Sequence, residues 1–198
     1  IIKMPKICVE KYEKSNELFD NWPFNLSDFQ KYAIESIIQG NNTIITAHTG
    51  SGKTLPAEFL LRYCKDKGKK VIFTTPIKAL SNEKFHDFQN KFPEIDFGII
   101  TGDIKFNPEA DVLIMTTECL CNTLFQMKML EKETLKKNQV NLLFEINIQE
   151  ELGAVVFDEI HYINDPDRGH VWEESIMMLP NNVQILGLSA TMHNPEKF

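Results

Sequence analysis

Apolar residues along this chain fall in short continuous runs rather than in alternation with polar ones. The runs are NTIITA (42–47), KVIFTT (70–75), FGIIT (97–101), DVLIMTT (111–117), GAVVFDE (153–159) and QILGLSA (184–190). A strand with one wet face alternates, whereas a strand covered on both faces does not. The runs therefore predict a mostly parallel sheet with helices on both faces. Stretches with helical spacing lie between them. Ser27 can cap a helix that runs to Gly40 and places Phe29, Ala33 and Ile37 on one face. A second helix is predicted from Lys53 to about Lys67, stopped near Gly68. A third spans Pro76 to Phe88 and a fourth Glu118 to Leu130. Strands and helices in this alternation specify an α/β doubly wound domain. Residues 131–151, EKETLKKNQVNLLFEINIQEE, show no clean period and read either as a disordered insertion or as a surface hairpin.

Composition changes this picture little. A chain of 198 residues, 42% hydrophobic and 25% charged, can bury the core of one globular domain. No run approaches the roughly 18 apolar residues of a membrane-spanning helix, so no membrane contact is expected. The opening IIKMPKICVE lacks the order of a secretory signal and a starting Met, so Ile1 reads as an internal boundary of a longer protein. Cys8, Cys64, Cys119 and Cys121 offer no finger-like zinc spacing and read as reduced thiols of an intracellular protein, compartment unspecified. The net charge of −7 matters more. It excludes nucleic-acid binding by bulk charge and leaves only a local groove or help from further parts. The cations are nearly all lysine, with Arg62 and Arg168 the only arginines.

The chemistry begins at AHTGSGKT (47–54), between a predicted strand and a predicted helix. It matches the phosphate-loop pattern G-x-x-x-x-G-K-[ST] with the small residue Ala47 in first place. In the turn Thr49-Gly50-Ser51-Gly52, the glycines let backbone N–H groups converge on an anion. The helix N-terminus adds its positive dipole end. Lys53 reaches the β- and γ-phosphates, and the Thr54 hydroxyl can hold Mg²⁺. Hydrolysis needs a second carboxylate on the metal side and a group that positions water. AVVFDEIH supplies both at a strand end: Asp158 to hold Mg²⁺ through water, and Glu159 to orient and deprotonate the attacking water.

The segments AHTGSGKT, TTPIKALSNEKF, TGD, MTTE, DEIHYIND, RGHVWEE and LSATM occur in this order. They resemble motifs I, Ia, the segment after Ia, Ib, II, its downstream extension and III of superfamily 2 helicases. PIKALSN and RG…WEE are most similar to the exosome-assisting DExH RNA helicases, often called Ski-type. The resemblance covers roughly residues 22 to 195. It implies the first RecA-like lobe (22–198) of a two-lobed ATP-driven motor, preceded by an extension (1–21) and carrying an insertion at 131–151. WPFNLSDFQKYAI then matches the segment that reads adenine, with Phe24 or Trp22 to stack on the base and Gln30 to bond its edge. His161 would couple the nucleotide site to SAT, through Ser189 and Thr191. Single-stranded RNA would run along a backbone track of Pro76, Lys78, Asn82, Thr101, Gly102, Asp103, Thr116, Thr117 and Glu118, which a narrow groove permits despite the acidic net charge. Thr116 and Thr117 also fit as plain helix caps. Trp172 is expected to pack, with Glu173 and Glu174 capping or pairing.

The resemblance also implies a second lobe in cis carrying an arginine finger, and a possible RNA-decay complex as partner. Neither Arg62 nor Arg168 sits where the finger belongs, so this lobe alone is expected to be nearly inactive. The gap between TTE and VVFDE exceeds usual connections by roughly 15–20 residues. Two other functions fit the same residues: a DNA helicase or translocase of the superfamily, and a nucleotide-gated binding module without productive turnover.

Overall fold

The computed structural model describes residues 6–14, 17–19, 22–132 and 142–190. Its strands are β1 (Thr43–Thr46), β2 (Lys70–Thr75), β3 (Phe97–Ile100), β4 (Lys105–Phe106), β5 (Val112–Thr116), β6 (Leu152–Phe157) and β7 (Gln184–Ser189). They form one sheet in the order β1-β7-β6-β2-β5-β3-β4. Every pairing is parallel except β3 with β4. The six apolar runs account for all strands but β4, whose two exposed residues leave no run to detect.

Side chains alternate between two buried faces, which is why no polar alternation shows in the sequence. Val71, Phe73, Ile114, Val156 and Leu188 face one core; Ile72, Leu113, Met115, Val155 and Phe157 face the other. The helices α1 (Asp28–Ile38), α2 (Leu55–Asp66) and α3 (Lys78–Lys91) cover the first face. The helices α4 (Thr117–Glu131) and α5 (Gly169–Met178) cover the second. This is the doubly wound, RecA-like α/β arrangement with a phosphate loop.

Several boundaries differ from the sequence expectation. Helix α2 starts at Leu55 rather than Lys53, because Gly52 sits at φ +81° and the Leu55 N–H closes a turn onto the Gly52 carbonyl at 3.1 Å. Helix α3 starts two residues late, after the extended Ile77, and runs one turn further to Lys91. Helix α5 was not anticipated; its buried face is Gly169, Trp172 and Ser175, and two of these give no apolar signal. Residues 142–151 are neither a hairpin nor disordered. Phe144 and Ile146 are buried in the second core, which adds a plug beside α4 and α5. Residues 133–141 lie outside the described residues. In the N-terminal extension, Tyr12 is buried edge-on against Tyr32, and Lys14 pairs with Glu35 at 2.6 Å. No helix among the described residues is long and apolar enough to cross a membrane.

Candidate functional site

Parallel pairing puts the carboxyl ends of six strands on one edge of the sheet, where ligands bind in such folds. The strand order divides that edge. Strands β1, β7 and β6 present the phosphate loop, Ser189 and Asp158-Glu159. Strands β2, β5 and β3 present Thr75-Pro76, Thr116-Thr117 and Thr101-Gly102-Asp103.

The loop leaves β1 with the Ala47 N–H bonded to the Ser189 carbonyl at 3.1 Å. Gly50 and Gly52 both take left-handed backbone, at φ +83° and +81°. Gly52 is also a close approach: a Cβ there would lie 2.6 Å from Gln30 Nε2. Gln30 uses both ends of its amide. Its Oε1 accepts the Ser27 N–H at 2.9 Å, capping α1, and its Nε2 donates to the Gly52 carbonyl at 3.1 Å. The residue matched to adenine reading thus also latches the phosphate loop, and one Nε2 hydrogen is left over. Phe24, half exposed, and Trp22 meet edge to face at 6.0 Å and line a cavity of about 360 Å³ with Leu55 and Phe59. Ser51 Oγ donates to the His48 carbonyl at 2.7 Å, closing the loop's outer turn beside Thr49.

Lys53 and the two acids come together across 106 residues of sequence. Lys53 is 9% exposed and its Nζ lies 3.1 Å from Glu159 Oε1. Asp158, 5% exposed, accepts the Glu159 N–H on Oδ1 at 3.0 Å. Burial pushes the Asp158 carboxyl above the ordinary range, opposed by the charges of Lys84 and Lys53 and reinforced by Glu159. Glu159 itself has φ +50°, left-handed backbone that a side chain rarely adopts and that persists where surroundings enforce it. Its buried Oε2 accepts no hydrogen bond, although His161 Nδ1 stands 3.3 Å away. The same Nδ1 lies 3.4 Å from Ser189 Oγ. Lys53, Glu159, His161 and Ser189 therefore form one connected line across three strands. Thr191 lies outside the described residues.

These residues fit a nucleotide with a divalent ion. Among the described residues the Thr54 hydroxyl makes no cap hydrogen bond, Asp158 keeps Oδ2, and Glu159 Oε2 is a buried acceptor with no hydrogen-bond partner. No group of three acidic, His or Cys side chains placed to hold a metal ion occurs among the described residues, so an ion here would depend on phosphate oxygens and water for most ligands.

On the other half of the edge the polar groups bond one another. Lys78 pairs with Asp103 at 2.6 Å, holding that carboxyl below its usual range, and the Thr101 hydroxyl donates to the same oxygen at 3.3 Å. Gly102 lies directly under the Lys78 head. Asn82 is half-buried on the first turns of α3. Thr116 and Thr117 are buried, their hydroxyls donating to Cys119 Sγ at 3.3 Å and the Thr75 carbonyl at 3.4 Å. Both act as internal supports at the start of α4, so only their backbone faces outward chemistry. Glu118 and Pro76 are both held by Arg168. Sequence reasoning set Arg168 aside as an arginine finger, placed it in the RG…WEE segment and missed this role; the signal was its place between the acidic strand end and α5. Arg62 pairs with Glu94 at 3.2 Å and lies over Phe92. Trp172 packs as expected, fully buried, while Glu174 meets only the Cys121 thiol at 3.7 Å. The buried Cys64 thiol is pushed up to about 11, which leaves it inert.

The DEAD/DEAH box helicase family model matches residues 27–198. The chain is 42% identical over 192 residues to Antiviral helicase SKI2 of Saccharomyces cerevisiae, covering 95% of this chain and 14% of that protein. It is 38% identical over 177 residues to Exosome RNA helicase MTR4 of Homo sapiens, covering 89% of this chain and 15% of that protein. The chain thus spans about one seventh of the relatives it matches. Among solved structures, the Pyrococcus furiosus Hef helicase domain aligns with TM-score 0.58 at 25% identity, covering 85% of this chain and 34% of that one. The DUF1998 helicase MrfA bound to DNA and AMPPNP aligns with TM-score 0.63 at 19% identity, covering 86% and 24%, which speaks to fold alone. This chain belongs to the DEAD/DEAH box helicase family and is similar to its Ski2 and MTR4 members.

Proposed function

We propose that this chain is the ATP-binding first motor lobe of an ATP-dependent RNA helicase of the Ski type. The observation that carries it is the 3.1 Å approach of Lys53 to Glu159, with Asp158 beside them at the same sheet edge. Lys53 exchanges Glu159 for the β- and γ-phosphates when nucleotide arrives. The N–H groups of Thr49 to Lys53 wrap the phosphate oxygens, and Thr54 with Asp158 would hold Mg²⁺, which would supply charge neutralisation to the transferred phosphoryl. Released from Lys53, Glu159 orients the attacking water and takes its proton. His161 passes the change in Glu159 to Ser189. Gln30 and Phe24 or Trp22 receive the adenine. RNA lies along the α3 and α4 starts, with Lys78 and backbone N–H groups meeting its phosphates. A second lobe supplies the arginine, and RNA-decay factors are the partners that the Ski-type likeness points to.

The test is Glu159→Gln in the full-length protein. ATP hydrolysis should fall by about 100-fold or more, from the lower end of the general-base range upward, while ATP and RNA binding persist. Unchanged turnover would mean that the acid pair does not do this chemistry. Competition of labelled single-stranded RNA against DNA of the same sequence assigns the track; preference for DNA would replace the RNA reading.

A further inference from the structure

We propose that Arg168 is the positioning residue that couples the nucleotide half of the sheet edge to the nucleic-acid half. The inference rests on the function proposed above. After Glu159 the chain makes a short 3-10 turn, Ile160–Asn164, and then reverses at Asp165. Asp165 Oδ1 accepts the N–H groups of Asp167 at 3.0 Å and Arg168 at 2.9 Å. Gly169 follows so closely that a Cβ would sit 2.2 Å from the Ile163 carbonyl oxygen. The backbone of Arg168 is therefore fixed from both sides.

Its side chain reaches the other half of the edge. Nε and Nη2 both donate to Glu118 Oε1, the former at 3.2 Å, and Nη2 also donates to the Pro76 carbonyl at 2.6 Å. Glu118 is in the first turn of α4, and Pro76 precedes Ile77, the cap residue of α3. One guanidinium thus holds the starts of both helices that present the track. Its plane lies over Tyr162 and Trp172, at 5.8 and 5.6 Å from their ring centroids, and those rings stack on each other. Tyr162 is in turn 5.2 Å from the ring of His161, which faces Glu159 and Ser189. The line Lys53–Glu159–His161–Tyr162–Arg168–Glu118 is contiguous from phosphate loop to track. The Arg168–Glu118 pair is more than a third exposed on both sides, so its worth lies in geometry more than in stability. A lysine cannot replace a fork that bonds two acceptors and stacks on rings.

The experiment uses the full-length protein with Arg168→Gln and Arg168→Lys. It measures melting temperature, ATPase rate with and without saturating single-stranded RNA, and RNA affinity with and without AMPPNP. Unstimulated ATPase should stay near wild type, while the RNA-stimulated kcat falls about 10-fold, a size that connecting residues carry. The dependence of RNA affinity on AMPPNP should shrink in both variants, with lysine giving no rescue. Stimulation retained in Arg168→Gln overturns the coupling, and so does a proportional fall of both rates with a lowered melting temperature. A wild-type ATPase that ignores RNA overturns the functional reading itself.

Discussion

The two halves of the sheet edge are built on opposite principles. In the nucleotide half, charges are buried and the backbone is forced: Lys53 and Asp158 are almost covered, and Gly50, Gly52 and Glu159 take left-handed conformations. In the track half, the charged pair Lys78–Asp103 is more than half exposed, and the buried threonine hydroxyls bond within the protein to Cys119 Sγ and the Thr75 carbonyl. On the proposed reading, the first half stores unfavourable arrangements, its buried charges and the backbone of Glu159, that a bound triphosphate and ion would relieve. The second is relaxed and offers backbone and a few cations to whatever lies on it. A substitution in the first half should change chemistry or stability sharply; one in the second should change affinity mildly.

The largest effect belongs to Lys53. Lys53→Ala in the full-length protein should weaken ATP binding by about 100-fold, the scale of a lost close charge pair. The fold survives, since Glu159 can turn toward solvent. Titration calorimetry checks this; unchanged affinity would erase the distinction between the halves.

A pair of glycines sharpens the comparison. Gly52→Ala meets both a positive φ and the Gln30 amide at 2.6 Å, so it should lower stability by about 1–3 kcal/mol. Gly102→Ala, in the track half, meets only the flexible end of Lys78 at 3.5 Å. It should stay within about 0.5 kcal/mol of wild type. Denaturant titration of both variants reads the difference.

The halves also differed in how legible they were. The phosphate loop and the acid pair could be read because their chemistry demands particular residue types at strand ends, and the six apolar runs supplied those strands. The delayed start of α2 could not be read, because the positive φ of Gly52 and the turn closed by the Leu55 N–H leave no mark in the pattern of residue types. Arg168 was harder to read: its place between the acidic strand end and α5 marks a position, but its partners Pro76 and Glu118 are distant in sequence. Phe144 and Ile146 were obscured by the polar residues around them, although burial decides their place.

In the track half, Lys78→Ala should weaken RNA binding evenly across sequences and reduce the salt slope by about 1. ATP binding should not change. Fluorescence anisotropy at several salt concentrations measures this, and an effect on ATP affinity would show that the halves are not separable at this residue.

The smallest effect bears on the stored cost directly. Because burial raises the Asp158 carboxyl above its unfolded value, the folded state holds that proton more tightly than the unfolded chain. As pH climbs from about 4, where a free aspartate ionises, the unfolded state sheds its proton first. The contribution of Asp158 to stability is then greatest at low pH and declines through its folded value. Asp158→Asn cannot titrate and can keep the Glu159 N–H bond through its amide oxygen. The variant should therefore be more stable than wild type near neutral pH, by about 0.5–2 kcal/mol, the common yield of a single stabilising substitution. The gap should close as the pH falls toward 4. Melting curves across that range decide it: a variant less stable than wild type at neutral pH would mean that Lys84 and Lys53 already compensate the buried acid, and that the nucleotide half is as relaxed as the track.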